Sequence, residues 1–108
     1  MIQSKNHRYV TRGVAEAVPV EVQLLLWSII DEAVANGTGL DYFQIFELKA
    51  EDHKLTVVHR QEVPEFSQVR VFLLSSKEIT ERKIWIIDSG EYQTMLFPEE
   101  YYSGRLEE

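Results

Sequence analysis

Three histidines and eighteen carboxylates are the side chains of this 108-residue chain best suited to acid–base or metal chemistry, and no cysteine accompanies them. His59 and Glu62 stand three positions apart. In an extended strand that spacing sends two side chains to opposite faces, so the pair does not converge on one ligand. His59 instead shares a strand face with Gln61, near Gln44, and a hydrogen-bonded polar group at the end of a core accounts for it. Glu51, Asp52 and His53 are contiguous, but a calcium loop needs more oxygen ligands at fixed spacing, and polar residues are the usual way to solvate a turn. The run from Asp88 to Glu91 also reads as a turn, because two catalytic carboxylates must be held apart across a cleft by rigid elements. Ser28 and Ser67 have no histidine or glycine elbow beside them. Without cysteine there is no thiolate nucleophile, thiolate metal site or disulfide. These residues imply no catalytic set, no metal site and no cofactor, and the balance is against an enzyme.

Surface chemistry is left, and one hairpin carries it. Residues 43–49 and 55–62 are rich in aromatic, aliphatic and β-branched side chains, and the polar run at 51–54 joins them. Pairing Ala50 with Leu55 sets Leu48 opposite Val57, Phe46 opposite His59 and Gln44 opposite Gln61. Side chains alternate across a strand, so Phe46, Leu48, Ala50, Leu55 and Val57 form an inward face. The other face mixes Phe43, Ile45 and Val58 with Glu47, Lys49, Thr56, Arg60 and Glu62. Its candidate contact set is Phe43, Ile45 and Val58 as apolar contacts, with Glu47, Arg60 and Glu62 setting register by charge. The plainer account is that these are ordinary exposed hydrophobes beside a diagonal Glu47–Arg60 ion pair worth under ~1 kcal/mol.

The remaining elements must build a body for that hairpin. Residues 1–6 read as a flexible arm and 7–12 as a short strand that Gly13 ends or bends. Pro19 suits the first turn of a helix. From Val20 to Ala35 the apolar positions Val22, Leu26, Ile29, Ile30 and Ala33 centre one helical face, with Trp27 at its edge. Asn36 and Gly37 then stop the helix. After the hairpin, Val63 and Pro64 close the strand. Residues 69–74 read as a central strand because both sides are apolar, and 75–82 as a polar loop or helical turn. Residues 83–87 and 92–97 form a second hairpin around the 88–91 turn, 99–102 suggest a helical turn, and 103–108 a frayed acidic tail. The expected fold is a single α+β domain over 1–108. It has a mainly antiparallel, twisted sheet of about five to six strands, open or partly closed into a barrel, with one long amphipathic helix packed on one face.

The formal net charge is -7, and no Lys, Arg or His occurs from Gly13 through Leu48. That disfavours a phosphate backbone, and the small basic cluster of His7, Arg8 and Arg12 lacks the aromatic groove of a single-strand binder. No stretch approaches the ~20 apolar residues of a membrane span, and the first residues lack a secretory core, so the expected setting is the cytoplasm.

The segments YVTRG from Tyr9, VPVEVQLLLW from Val18, LDYFQIFEL from Leu40, HRQEVPEF from His59 and IIDSGEYQTML from Ile86 occur in a recognisable order. From about Tyr9 to Tyr102 the chain resembles small uncharacterised proteins of Gram-positive bacteria, the domain-of-unknown-function family nine-sixty. The resemblance implies one intact cytoplasmic bacterial domain and carries over no activity, ligand or catalytic residue. The expected role is a non-catalytic protein-interaction module, its partner another protein or a second copy in a homodimer, with no nucleic acid and no membrane. The alternative is a small-molecule-binding or enzymatic domain whose pocket between helix and sheet is lined by Trp27, Trp85 and Tyr92. Tyr101 and Tyr102, beside Glu99 and Glu100, are further candidate contact residues.

Overall fold

The structure is a computed structural model in which residues 7–75 and 81–101 are described. The expected arm at 1–6, most of the polar loop expected at 75–82, Tyr102 and the expected tail at 103–108 lie outside the described residues. In chain order the elements are β1 (His7–Val10), α1 (Arg12–Ala17), α2 (Val20–Ala35), β2 (Phe43–Glu51), β3 (Lys54–Gln61), β4 (Phe66–Leu73), β5 (Glu81–Asp88) and β6 (Tyr92–Leu96). A helical turn follows at 98–101.

The six strands form one sheet in the order β1-β6-β5-β2-β3-β4. Every neighbouring pair is antiparallel except β1 with β6, which is parallel. The sheet is therefore mixed, and it is open rather than closed, with β1 and β4 as its edges. The 20–35 helix is also not the only one. Thr11 caps α1 by accepting the Val14 N–H on its hydroxyl oxygen at 3.2 Å, a start signal that is present in the sequence but belongs to a helix too short for periodicity to reveal. At the other end of α2, Thr38 N–H donates to Ala33 O and Gly37 N–H to Val34 O, with Gly37 at φ 77. This crossed pair of bonds is the Schellman motif, and it needs a residue that tolerates a positive φ where Gly37 stands.

The first hairpin has the register expected from its side-chain alternation: Ala50 opposes Leu55, Leu48 opposes Val57 and Phe46 opposes His59. Its turn is tighter than the polar run suggests. The strands continue through Glu51 and Lys54, leaving only Asp52 and His53 in the loop at φ 50 and 66. Two consecutive positive φ values are the signature of a type I′ turn, whose twist matches that of the strands. On its other edge β2 pairs with β5, so this hairpin lies at the middle of the sheet.

One face of the sheet is buried. Phe46, Leu48, Leu55, Val57, Ile84, Ile86 and Met95 share a continuous core with Val22, Leu26, Ile29 and Ile30 of α2. Each large side chain buried there contributes ~2–3 kcal/mol. Polar ties add to it: Asp31 of α2 binds Arg8 of β1 at 2.6 Å, and Glu32 of α2 is ion-paired with Arg70 of β4.

The strand at 69–74, expected to be central, is the edge strand β4. Phe66, Arg70 and Phe72 occupy its half-buried side, and Val69, Val71 and Leu73 are exposed on the other. Apolar residues on both sides indicate a central strand only when both faces are covered, and here one is open.

Candidate functional site

Among the described residues two places hold groups that could carry function: a buried polar row in the core and the open face of the sheet. In the row, Gln44, His59 and Gln61 point into the buried side from β2 and β3, and all three are buried. Gln44 Nε2 donates to Asp41 O at 2.9 Å and to Gln61 Oε1 at 2.6 Å, which leaves Gln44 Oε1 as an acceptor. His59 Nε2, 2.7 Å from that oxygen, therefore carries the hydrogen and donates it. Gln61 Oε1 also accepts the Asp41 N–H at 2.6 Å, and Gln61 Nε2 donates to Pro64 O at 2.9 Å. The row thus fastens the loops at 39–41 and 62–65 to the ends of two strands.

The other imidazole nitrogen, Nδ1, has no hydrogen-bond partner among the described residues. The ring is stacked on Phe46 at 4.6 Å and meets Phe66 edge-on at 5.0 Å. Burial in these apolar surroundings lowers its pKa from the ordinary 6.5 to about 4. A neutral histidine enclosed in this way is out of a substrate's reach, so the row is a structural element.

The open face has a different chemistry. From β1 and β6, Tyr9 and Tyr92 meet edge-on at 5.6 Å. At the centre Phe43 packs edge-on against Trp85 at 4.8 Å, and the ring of Tyr101, from the 98–101 turn, lies 5.8 Å from Trp85. Toward the β4 edge come Val58 and then Val69, Val71 and Leu73, which are 61%, 56% and 82% exposed.

Five of the six proposed contact residues lie on this face: Phe43, Ile45, Glu47, Val58 and Arg60. Glu47 and Arg60 form the diagonal ion pair that the register implies, at 3.2 Å. Ile45 is only 4% exposed, flanked by its cross-strand neighbours Trp85 and Arg60, so a partner would meet those neighbours and not Ile45 itself. Glu62 is past the end of β3, where it lines a separate depression of about 540 Å³ with Arg60, Glu65 and Phe66. Val69, Val71 and Leu73 were not among the proposed contacts, because their strand reads as central. The signal that separates its two sides is the polar pair Gln68 and Arg70, which alternates with them.

A larger depression on the open face, about 670 Å³, is lined by residues that include Glu47, Lys49, Val58, Glu81, Lys83, Pro98 and Glu99. Its charges alternate across the strands, with Glu47 opposite Lys83 and Lys49 opposite Glu81. No single sign accumulates there to hold an anion, and among the described residues no group of three or more His, Asp or Glu is placed to hold a metal ion. Trp27, Trp85 and Tyr92 do not converge into a pocket. Trp27 belongs to the buried core under the Arg8 guanidinium, whereas Trp85 and Tyr92 lie on the open side, so the sheet separates them. Arg8 is itself bound to Asp31 and Gln93, which removes it from the basic cluster at 7–12. Among the described residues no helix is long and apolar enough to cross a membrane.

Residues 7–100 match the model of the domain-of-unknown-function family nine-sixty, described as a Staphylococcal protein of unknown function. A crystal structure of a protein of unknown function from Enterococcus faecalis is similar, with a TM-score of 0.76 and 27% identity over 93% of this chain and 97% of that one. None of the curated proteins matches the chain.

Proposed function

The chain belongs to that family, and on this footing we propose that it is a non-catalytic, cytoplasmic protein-interaction module that binds another protein chain through the open face of its sheet. In this reading α2 is the cover of the opposite face, and among the described residues no helix of comparable length covers this one. The observation that carries the proposal is the apolar band formed by Val58, Val69, Val71 and Leu73 toward the β4 edge, which Glu47 and Arg60 separate from the aromatic pair Phe43 and Trp85. A contiguous apolar area with a charged rim is the usual composition of a protein contact surface.

Val58 is the position to test, since Ile45 is enclosed and a charge there would attack the fold. Val58→Glu should leave cooperative thermal unfolding intact and abolish retention of partners from a lysate of the source bacterium on immobilised protein. If the folded variant retains the same proteins as the parent, the face is not the contact surface.

A further inference from the structure

We propose that the occupant of the β4 border of this face is a second copy of the same chain, joined edge to edge in an antiparallel β4–β4 pair centred on Val71. The inference rests on the interaction-module reading and names its partner.

The backbone of β4 is arranged for such a pair. Leu74 N–H donates to His53 O, and the register sets Leu55 opposite Phe72 and Val57 opposite Arg70. In an antiparallel ladder the residues bonded to the neighbour alternate, so Leu74, Phe72, Arg70 and Gln68 turn their N–H and C=O groups toward β3. Ser67, Val69, Val71 and Leu73 turn theirs away, to the free edge. The same alternation puts the exposed Val69, Val71 and Leu73 side chains on the open face. One set of residues thus offers both backbone groups and apolar side chains that have no partner among the described residues.

Edges of this kind are normally blunted by a short strand or by charge. The opposite edge, β1, is four residues long. The eight-residue β4 carries one charge, Arg70, which faces the buried side and is ion-paired with Glu32. In a chain of net charge -7, this strand contains no acidic residue. Two copies can therefore approach here without bringing carboxylates of the strand together, whereas an acidic surface elsewhere would repel its own copy.

A two-fold axis perpendicular to the sheet keeps both open faces on the same side and pairs edge-facing residues with edge-facing residues. Centring the pair on Arg70 would set the two guanidinium groups directly opposite and leave Leu73 against Ser67. Centring it on Val69 would leave Leu73 without a partner. Centring it on Val71 sets Val71 against Val71 and Val69 against Leu73, and places each Arg70 beside Phe72 of the other copy, where a cation can meet a ring.

The absence of cysteine makes the register directly testable. In the pair, the Val71 Cα atoms are about 5.5 Å apart, within disulfide range. The two Val69 Cα atoms are offset by four residues, about 13 Å. Under a mild oxidant Val71→Cys should therefore form a disulfide-linked dimer and Val69→Cys alone should not, while a mixture of Val69→Cys and Leu73→Cys should cross-link. By light scattering at rising concentration the parent should approach twice its monomer mass. Val71→Pro removes only an edge-facing N–H, and should remain a folded monomer by circular dichroism. A parent that stays monomeric, or cross-linking of Val69→Cys with Val71→Cys in place of the predicted pairs, overturns the proposal. If the monomer still loses its protein partners on Val58→Glu, the self-pairing has failed and the interaction reading has not.

Discussion

Acidification should weaken this fold by a specific amount through one buried ring. His59 is neutral in the folded state, with its pKa lowered from 6.5 to about 4 by burial. Once unfolded, the ring regains its ordinary pKa and takes up a proton below 6.5. Between pH 6.5 and about 4 the unfolded chain therefore binds more protons than the folded one, and stability falls as pH falls. The contribution is fully present above 6.5 and fully lost below about 4. At about 1.4 kcal/mol per pH unit, that interval corresponds to about 3 kcal/mol, a large share of the ~5–15 kcal/mol typical of a domain.

The geometry shows why the folded state resists the proton. Nδ1 has no acceptor beside it among the described residues, and Phe46 and Phe66 enclose the ring. Urea unfolding followed by circular dichroism at pH 7, 6, 5 and 4 measures the loss, and His59→Gln isolates it. The amide can still donate to Gln44 Oε1 and does not titrate, so every other acid-sensitive group contributes equally to both curves. The parent should lose about 3 kcal/mol more than the variant across the interval. Parallel curves would refute the assignment of the acid sensitivity to His59.

Three further outcomes follow from the packing. Gly13→Ala drives a Cβ into the Glu100 carboxylate, whose Oε1 accepts from Thr11 Oγ1 at 2.7 Å and from Phe97 N at 2.9 Å. It should cost ~1–2 kcal/mol, the value of those bonds, in chemical denaturation, and almost nothing in a Glu100→Ala background, where the collision is gone. Arg8 binds both oxygens of Asp31, donates to Gln93 and lies 4.7 Å from the Trp27 ring, so Arg8→Ala should lower stability by about 2 kcal/mol after allowance for screening at half-exposed Asp31. By the same measurement Glu47→Gln, which removes the charge of the solvent-facing pair with Arg60 and leaves both side-chain stems in place, should cost under ~1 kcal/mol.

What the sequence determined by itself is local. The alternation from Phe43 to Gln61 and the polar run at 51–54 were enough to set the register and the inward face of the first hairpin, because both depend on a two-residue period and one tight turn. The apolar spacing from Val20 and the Asn36–Gly37 stop marked α2, and the Glu47–Arg60 ion pair followed from the register. The tertiary structure decided what depends on residues distant in the chain. β5 pairs with β2 about forty positions away, and β1 adds beside β6 from the opposite end of the chain. Those pairings place the 66–73 strand at an edge, although its composition suits a centre. They also determine which aromatic side chains meet: Trp85 reaches Phe43 and Tyr101 but lies across the sheet from Trp27. Composition establishes that a strand has two apolar sides. Whether the second side is buried depends on whether another element covers it, and for Val69, Val71 and Leu73 none of the described elements does.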